Sequence, residues 1–396
     1  MKNKISYIRL FFIFLKTGTI SFGGYMMLIA MIKYEFVERT KILKNSKILD
    51  AITMASFLPG PMAINVASYV GFLLKGWKGA LISFLAVLLP SFLIMLLFSH
   101  LYLNSKNIPG FTSFFIGVMP VVSAVIFVVA YDIFKDTKNK FFSFILVVFS
   151  FLIAYSVKGY ISIILPLLIC GVLNIFYNKH KIKFGFSFGN SSKNIIKIKG
   201  IIIASLIIAT LYIFLNNAAI NTPTFNLARI FSNISLTLFG GGYVFIPYLD
   251  KIIVEQLGWL TQREFIDSIA MGQITPGPIL ITATFIGYKI NGIAGAFIAT
   301  ISIFLPSSVI IIFFSRVYYF FKRNAFFKIM IKGFKIGIIG LICYAGYIIM
   351  FREEIFNFFN IVIFIISFLI LSKKLIHPLF LILTFGALGY YLHLHG

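Results

Sequence analysis

Acidic residues are scarce in this chain. Of 396 residues only 11 are Asp or Glu, and charged residues together make up 12%, about half of what a soluble domain carries. That shortage excludes a single water-soluble core, because apolar runs of membrane-spanning length recur from end to end. Cysteine is nearly missing too. Cys170 and Cys343 stand far apart, each in an apolar run, so neither a disulfide framework nor a thiolate metal site is implied. Enzyme signatures are also lacking: there is no His-Glu-x-x-His, no Gly-x-Ser-x-Gly and no P-loop. His393 and His395 read as a surface tail, not a metal site. No catalytic residue, metal or cofactor is expected. Without a nucleotide motif, any transport by this chain would be driven by an ion gradient or a potential.

What is there in abundance is apolar. Hydrophobic residues are 60% of the chain and aromatic ones 17%, which fits an all-α polytopic membrane protein. A formal charge of +24 would suggest nucleic acid in a soluble protein. Here the lysines read as loop anchors on the cytoplasmic side, and no nucleic acid is expected. The first run, Ile5 to Ile32, is too long for a signal peptide, lacks a small-residue cleavage site and reads as a retained span. Spans are expected at about 5–32, 51–74, 78–99, 112–134, 140–157 and 160–178, then at 200–216, 226–252, 266–290, 292–315, 330–350, 355–371 and 375–393. That is about 13 transmembrane helices.

The chain repeats itself. Phe22-Gly23-Gly24 matches Phe239-Gly240-Gly241 at a shift of 217, and Glu38, Asp50 and Pro59-Gly60-Pro61 match Glu255, Asp267 and Pro276-Gly277-Pro278 at the same shift. After a one-residue slip, Gly71, Gly76, Gly79 and Pro90 match Gly287, Gly292, Gly295 and Pro306. The expected domains are an N-terminal repeat over 1–178, a connector with one linking span over 179–225 and a C-terminal repeat over 226–396. Six spans per half plus one linker make the halves inverted. The lysine balance places the N-terminus in the cytoplasm and the C-terminus outside. One loop, Lys33 to Asp50, carries five basic residues against three acidic on the wrong side. That exception keeps open a layout in which the segments around the Pro-Gly-Pro motifs are re-entrant hairpins.

The Pro-Gly-Pro motifs are where chemistry is expected. Each proline removes an amide donor and clashes with the carbonyl four residues back, and in lipid such a break persists only where it lines a cavity or is buried in protein. Paired breaks at matching positions of two repeats point to a transporter's binding site. Pro61 and Pro278 suit the first position of a new half-helix. The amides that follow (Met62 and Ala63; Ile279 and Leu280) would offer an oxyanion site at a helix N-terminus. The candidate substrate-binding residues around this idea are Lys16, Gly23, Gly24, Pro59, Gly60, Pro61, Asn65, Gly240, Gly241, Gly242, Gln273, Pro276, Gly277, Pro278 and Thr282. The glycines permit close backbone approach or exposed amides. Lys16 is an intramembrane cation, with snorkelling to the interface as its other reading. Asn65 and Thr282, one turn past the prolines, and Gln273 and Ser56, just before the break, could donate to a bound oxyanion. Asp50 and Asp267 look like helix caps or first-turn acids, with a proton relay as the alternative.

These motifs resemble a known family. Phe14-Leu15-Lys16-Thr17-Gly18, Ser21-Phe22-Gly23-Gly24 and Leu58-Pro59-Gly60-Pro61 resemble the N-terminal half of the CHR family of chromate ion transporters. Phe239-Gly240-Gly241-Gly242-Tyr243, Gly258-Trp259-Leu260-Thr261, Glu264-Phe265-Ile266-Asp267, Gly272-Gln273-Ile274-Thr275-Pro276-Gly277-Pro278 and Phe304-Leu305-Pro306-Ser307 look like its signature in the second half. The first half departs from it, reading Lys41-Ile42-Leu43-Lys44 for Gly258-Trp259-Leu260-Thr261 and Ser56 for Gln273. The resemblance covers both halves and implies the long, two-domain form. It implies a plasma-membrane protein that exports chromate, driven by the proton gradient or the membrane potential. The partners implied are chromate or a sulfate-like oxyanion, membrane lipid and protons; a homodimer is compatible with this reading. A sulfate or other oxyanion permease and a non-transporting membrane scaffold are the alternatives.

Overall fold

The computed structural model describes residues 5–22, 25–104, 111–157, 161–178, 222–237, 242–315, 325–351 and 357–395. The linking span expected at 200–216 lies outside the described residues, as do Gly23, Gly24, Gly240 and Gly241. In the first half the helices are α1 (Tyr7–Ile20), α2 (Tyr25–Lys33), α3 (Asn45–Phe57), α4 (Met62–Asn104), α5 (Phe111–Lys135), α6 (Lys140–Ser156) and α7 (Ile161–Tyr177). In the second they are α8 (Pro223–Thr237), α9 (Phe245–Leu249), α10 (Gln262–Ile274), α11 (Thr282–Phe314), α12 (Ala325–Met350), α13 (Phe358–Ser372) and α14 (Pro378–His395). Among the described residues no strand is formed. Helix starts are fixed by side-chain caps: Asn139 accepts from the Phe142 amide at 3.2 Å and Asn357 from the Asn360 amide at 2.8 Å.

Helix α4 is a hairpin, not one long rod. Its backbone leaves helical geometry at Lys75 and Gly76, where Gly76 has φ 64°, a left-handed value that favours glycine. The arms 62–74 and 77–104 fold back on each other so closely that a Cβ on Gly71 would meet the Gly79 carbonyl oxygen at 2.4 Å. Helix α11 repeats the device at Asn291 and Gly292, with Gly287 against Gly295. The short arm 62–74 is about 20 Å long, too short to cross a bilayer core of about 30 Å. The long arm is a full span.

The two hairpins run antiparallel, and this fixes the inversion. Trp77, beside the first turn, packs on Phe313 at the far end of the other long arm, with ring centroids 5.4 Å apart. Tyr288, beside the second turn, bonds His100 at the far end of the first long arm, at 2.9 Å. One turn therefore lies at one membrane face and the second at the other. The starts of α1 and α8 follow their own turns: the Lys75 ammonium sits 5.2 Å over the Tyr7 ring, and Asn291 donates to Thr224 at 2.7 Å.

The sequence segments around the breaks double back instead of crossing. Lys16 Nζ is 3.2 Å from Glu35 Oε1, and the rings of Phe14 and Phe36 are 5.2 Å apart, so α2 and its π-helical extension Tyr34–Arg39 return along α1. The Leu43 amide bonds the Phe36 carbonyl at 2.9 Å, and α3 re-enters from that same face. In the second half Lys289 pairs with Glu264, and Gln262 donates to Asp250 at 2.6 Å. The start of α10 thus lies at the level of the second turn. Each half opens with two hairpins that double back, followed by four apolar helical segments, of which two in each half are long enough to span by themselves. The runs expected at 5–32, 51–74, 226–252 and 266–290 accordingly enter and leave by one face. This is the alternative that the basic Lys33–Asp50 loop had kept open, and it moves those charges to the face that carries Lys75, Lys78 and Lys140.

Each half's last two helices are exchanged. Gly117 of α5 lies against Phe385 and Gly389 of α14, while its counterpart Gly333 of α12 lies against Cys170 and Gly171 of α7. Ser150 of α6 donates to the Gly337 carbonyl at 2.7 Å, and Asn174 of α7 to Ile329 at 2.6 Å. The result is an all-α polytopic membrane protein of two inverted halves about a pseudo-two-fold axis. Among the described residues four helices are long and apolar enough to span by themselves, over 62–104, 113–135, 279–314 and 328–350.

Candidate functional site

The pseudo-two-fold brings the two Pro-Gly-Pro tips to the middle of the molecule. Gly60 and Gly277 take φ 97° and 110°, values closed to ordinary side chains. Each is seated on a serine of the opposite half. A Cβ on Gly60 would meet Ser307 Cβ at 2.1 Å, and one on Gly277 would meet Ser91 Oγ at 2.7 Å. Ser91 and Ser307 are themselves counterparts, each following the proline of a long arm (Pro90 and Pro306), and both are fully buried. Gly60, Pro61, Pro276, Gly277 and Pro278 are buried. The Gly277 amide donates to the Ser21 carbonyl at 2.8 Å, so the second tip also rests on the end of α1, where the first glycine segment begins.

Both short arms start at these tips. Asn65 N bonds Pro61 O as the first intrahelical bond of one arm, which leaves the amides of Met62, Ala63 and Ile64 ahead of it without an acceptor in their own helix. Ile281 N bonds Pro278 O in the other. Two helix N-termini, each a partial positive charge, therefore converge from opposite faces. Ser235 Oγ and the Gln273 amide nitrogen are buried and make no hydrogen bond among the described residues. Gln273 precedes the second tip by one turn and lies against Tyr243 from the second glycine segment. The Ser235 carbonyl is 3.3 Å from the place of a Gly60 Cβ.

The structure sorts the other candidates. Asn65 donates to Pro59 O at 3.2 Å and accepts from Ser308 at 3.4 Å, and Thr282 donates to Ile279 O at 2.9 Å. Both side chains thus bond backbone carbonyls at the start of their own short arms, not the carbonyls four residues before the prolines. Gly242 packs against Ile279, joining the second glycine segment to the second tip. Ser56 bonds Ile52 O within its own helix. Lys16 is held away from the tips by Glu35, whose carboxylate also takes both oxygens to Arg39 at 2.9 and 3.0 Å. Asp50 and Asp267 lie inside α3 and α10 and do not cap them. The cap of α10 is Thr261, closed by a capping box with Glu264, because a hydroxyl at that position reaches the N3 amide as a residue six places later cannot.

Sequence reasoning missed three groups: Ser91, Ser307 and His377, whose Nε2 lies 3.0 Å from Phe22 O. The doubled Pro-Ser of the long arms was legible as a repeat. The reach of His377 across the fold was not.

Comparison with known proteins agrees with the repeat. The family model described as "Chromate transporter" matches residues 8–175 and again 225–390. The chain is 30% identical over 394 residues to an uncharacterized transporter of Methanocaldococcus jannaschii, covering 98% of this chain and 95% of that one. It is 27% identical to a probable chromate transport protein of Synechococcus elongatus, over 94% of this chain and 92% of the relative. To the chromate transport protein of Cupriavidus metallidurans it is 29% identical, over 74% of this chain and 70% of the relative. No solved structure matches. Matched over both halves by one family model, the chain belongs to the chromate transporter family.

Proposed function

We propose that the chain carries a tetrahedral oxyanion dianion, chromate foremost, between the two Pro-Gly-Pro tips and exports it across the plasma membrane. The observation that carries this reading is the reciprocal seating of Gly60 on Ser307 and Gly277 on Ser91. It sets two helix N-termini and the Gln273 amide around one buried level, an arrangement that supplies N–H donors, while the Ser91 and Ser307 hydroxyls donate to Leu88 O and Phe304 O of their own helices. The names of the Synechococcus and Cupriavidus relatives support chromate as the anion. Sulfate, of the same charge and shape, is the competing substrate.

The N-terminal face is cytoplasmic in this proposal. That face carries Arg39, Lys41, Lys44, Lys47, Lys75, Lys78, Lys138 and Lys140, against Lys251, Arg263 and Lys289 among the described residues of the opposite side, an excess of the sign the positive-inside rule requires. A negative-inside potential drives a dianion outward at about 2.3 kcal/mol per charge per 100 mV, so export needs no nucleotide. The pairing of tips from opposite halves suggests alternate opening: parting Gly60 from Ser307 and Gly277 from Ser91 would open the level to one face or the other.

Chromate accumulation in cells lacking their own transporter, with and without this chain, tests the reading. Lower accumulation that is reversed by collapsing the gradient supports export. Higher accumulation that excess sulfate abolishes would replace it with a sulfate-type permease. No change, with the protein present in the membrane, would count for the scaffold alternative.

A further inference from the structure

His377 stands just before α14, in the second half, yet it reaches the tip of the first hairpin. Its Nε2 is 3.0 Å from the Phe22 carbonyl oxygen, and its Nδ1 is 3.3 Å from the Leu379 amide nitrogen. A carbonyl only accepts and an amide N–H only donates. The proton of the neutral ring is therefore on Nε2, and Nδ1 is bare. The neighbouring carbonyl, Ser21 O, is the one on which the Gly277 amide rests at 2.8 Å. One imidazole is thus joined, through two successive carbonyls, to both the first hairpin tip and the second Pro-Gly-Pro tip. Histidine is the side chain whose ordinary titration falls between pH 5 and 8.

We propose that His377 is the proton-binding residue of the oxyanion site, so that binding the dianion and protonating Nδ1 favour each other. This rests on the oxyanion reading above. A proton on Nδ1 adds a full positive charge beside tips that otherwise offer only partial charges, and it sets a new donor against the Leu379 N–H, releasing the start of α14 from the ring. A dianion at the tips stabilises that charge, and by linkage the charge strengthens dianion binding by the same factor. The charged groups on the surrounding elements are paired or, for Lys373, exposed. Lys374 on the same loop approaches Asp132 of α5 to 3.9 Å, with Lys373 beside it. Lys16 and Arg39 of the first hairpin hold Glu35. On α10, Glu264 holds Lys289 and Asp267 accepts from Tyr102.

The test is calorimetric binding of sulfate, which stays a dianion across the range, to the full chain in lipid nanodiscs. Titrations in buffers of different ionisation enthalpy report the protons taken up. Wild type should gain about tenfold in affinity between pH about 8 and about 5.5 and take up a fraction of a proton on binding near neutrality. His377→Gln keeps an N–H for Phe22 O but cannot titrate, and should lose both the slope and the proton uptake. His377→Arg, permanently charged, should show a flat profile as well, which gives a second arm if the glutamine variant does not insert. An unchanged slope and unchanged proton uptake in these variants would overturn the proton site and leave the anion site standing. No binding by wild type at any pH would remove the oxyanion site, and the proton site with it.

Discussion

Tyr102 donates a hydrogen bond to Asp267 Oδ2 at 2.6 Å, and the bond crosses from one half of the molecule to the other. Tyr102 is at the end of the first long arm and Asp267 is in the re-entrant helix α10. Both are buried, at 5% and 2% exposure. A hydroxyl bound to a buried carboxylate is worth more than a neutral pair, and removing it leaves a desolvated acceptor one donor short. Tyr102→Phe should therefore lower stability by roughly 1–3 kcal/mol, read as a fall in Tm in detergent. In an Asp267→Asn background the same change should cost less, because the acceptor is then neutral. Equal costs in both backgrounds would mean that the carboxylate's charge contributes nothing to the contact.

The two tips make a sharper prediction, because the clash partners are crossed. Gly60→Ala puts a methyl group into Ser307, and Gly277→Ala puts one against Ser91, each at a left-handed φ that adds its own strain. Both variants should insert into the membrane and lose transport. Ser307→Gly should partly restore Gly60→Ala and leave Gly277→Ala dead, and Ser91→Gly should do the reverse. Flux assays on the four double variants decide it. Rescue by either serine variant alike would disprove the crossed seating.

The Glu35 cluster predicts strong non-additivity. The Glu35 side chain is 1% exposed and has two cationic partners, Lys16 and Arg39, each about half exposed. Either cation alone still neutralises the carboxylate, so Lys16→Gln or Arg39→Gln should cost no more than about 1 kcal/mol. Removing both leaves a buried charge without a counterion, at a cost of roughly 3–5 kcal/mol. Thermal denaturation of the two single variants and the double variant measures the excess. Glu35→Gln should be mild, since both cations can turn to water. Lys16→Gln should also leave anion affinity unchanged, which separates this role from direct contact with substrate.

How much of this was legible in the chain differs from residue to residue. The duplication, the break at each Pro-Gly-Pro and the helical runs follow from local chemistry: a proline pair cannot continue a helix, and apolar stretches of about 20 residues must bury their backbone polar groups in helices. The re-entrant course was less visible, because a run of 24–28 apolar residues is long enough to cross or to double back. Only the misplaced charges of the Lys33–Asp50 loop hinted at the second course. Asn65 and Thr282 were legible as polar groups one turn past the break, but a side chain placed to donate to a ligand is equally placed to donate to a nearby backbone carbonyl. The structure shows the latter. His377 touches a carbonyl 355 residues earlier, and no local pattern encodes that contact.

The re-entrant course has a direct consequence for accessibility. Native cysteines are only Cys170, which is buried, and Cys343, which is partly so, and both can be replaced without touching the tips. Single cysteines at the exposed positions Lys44 and Lys78 flank the second hairpin of the first half, and Gln256 and Ala294 flank the matching hairpin of the second. If residues 51–74 crossed the bilayer, Lys44→Cys and Lys78→Cys would label from opposite sides. In a re-entrant hairpin both ends stay on one side, so both should react only from the cytoplasm. Gln256→Cys and Ala294→Cys should both react only from outside, since the second half is inverted. A membrane-impermeant maleimide applied to intact cells and to inside-out vesicles reads all four positions. Labelling of Lys44→Cys and Lys78→Cys from opposite sides would restore the crossing layout, and labelling of both from outside would keep the hairpin and reverse the orientation of the chain.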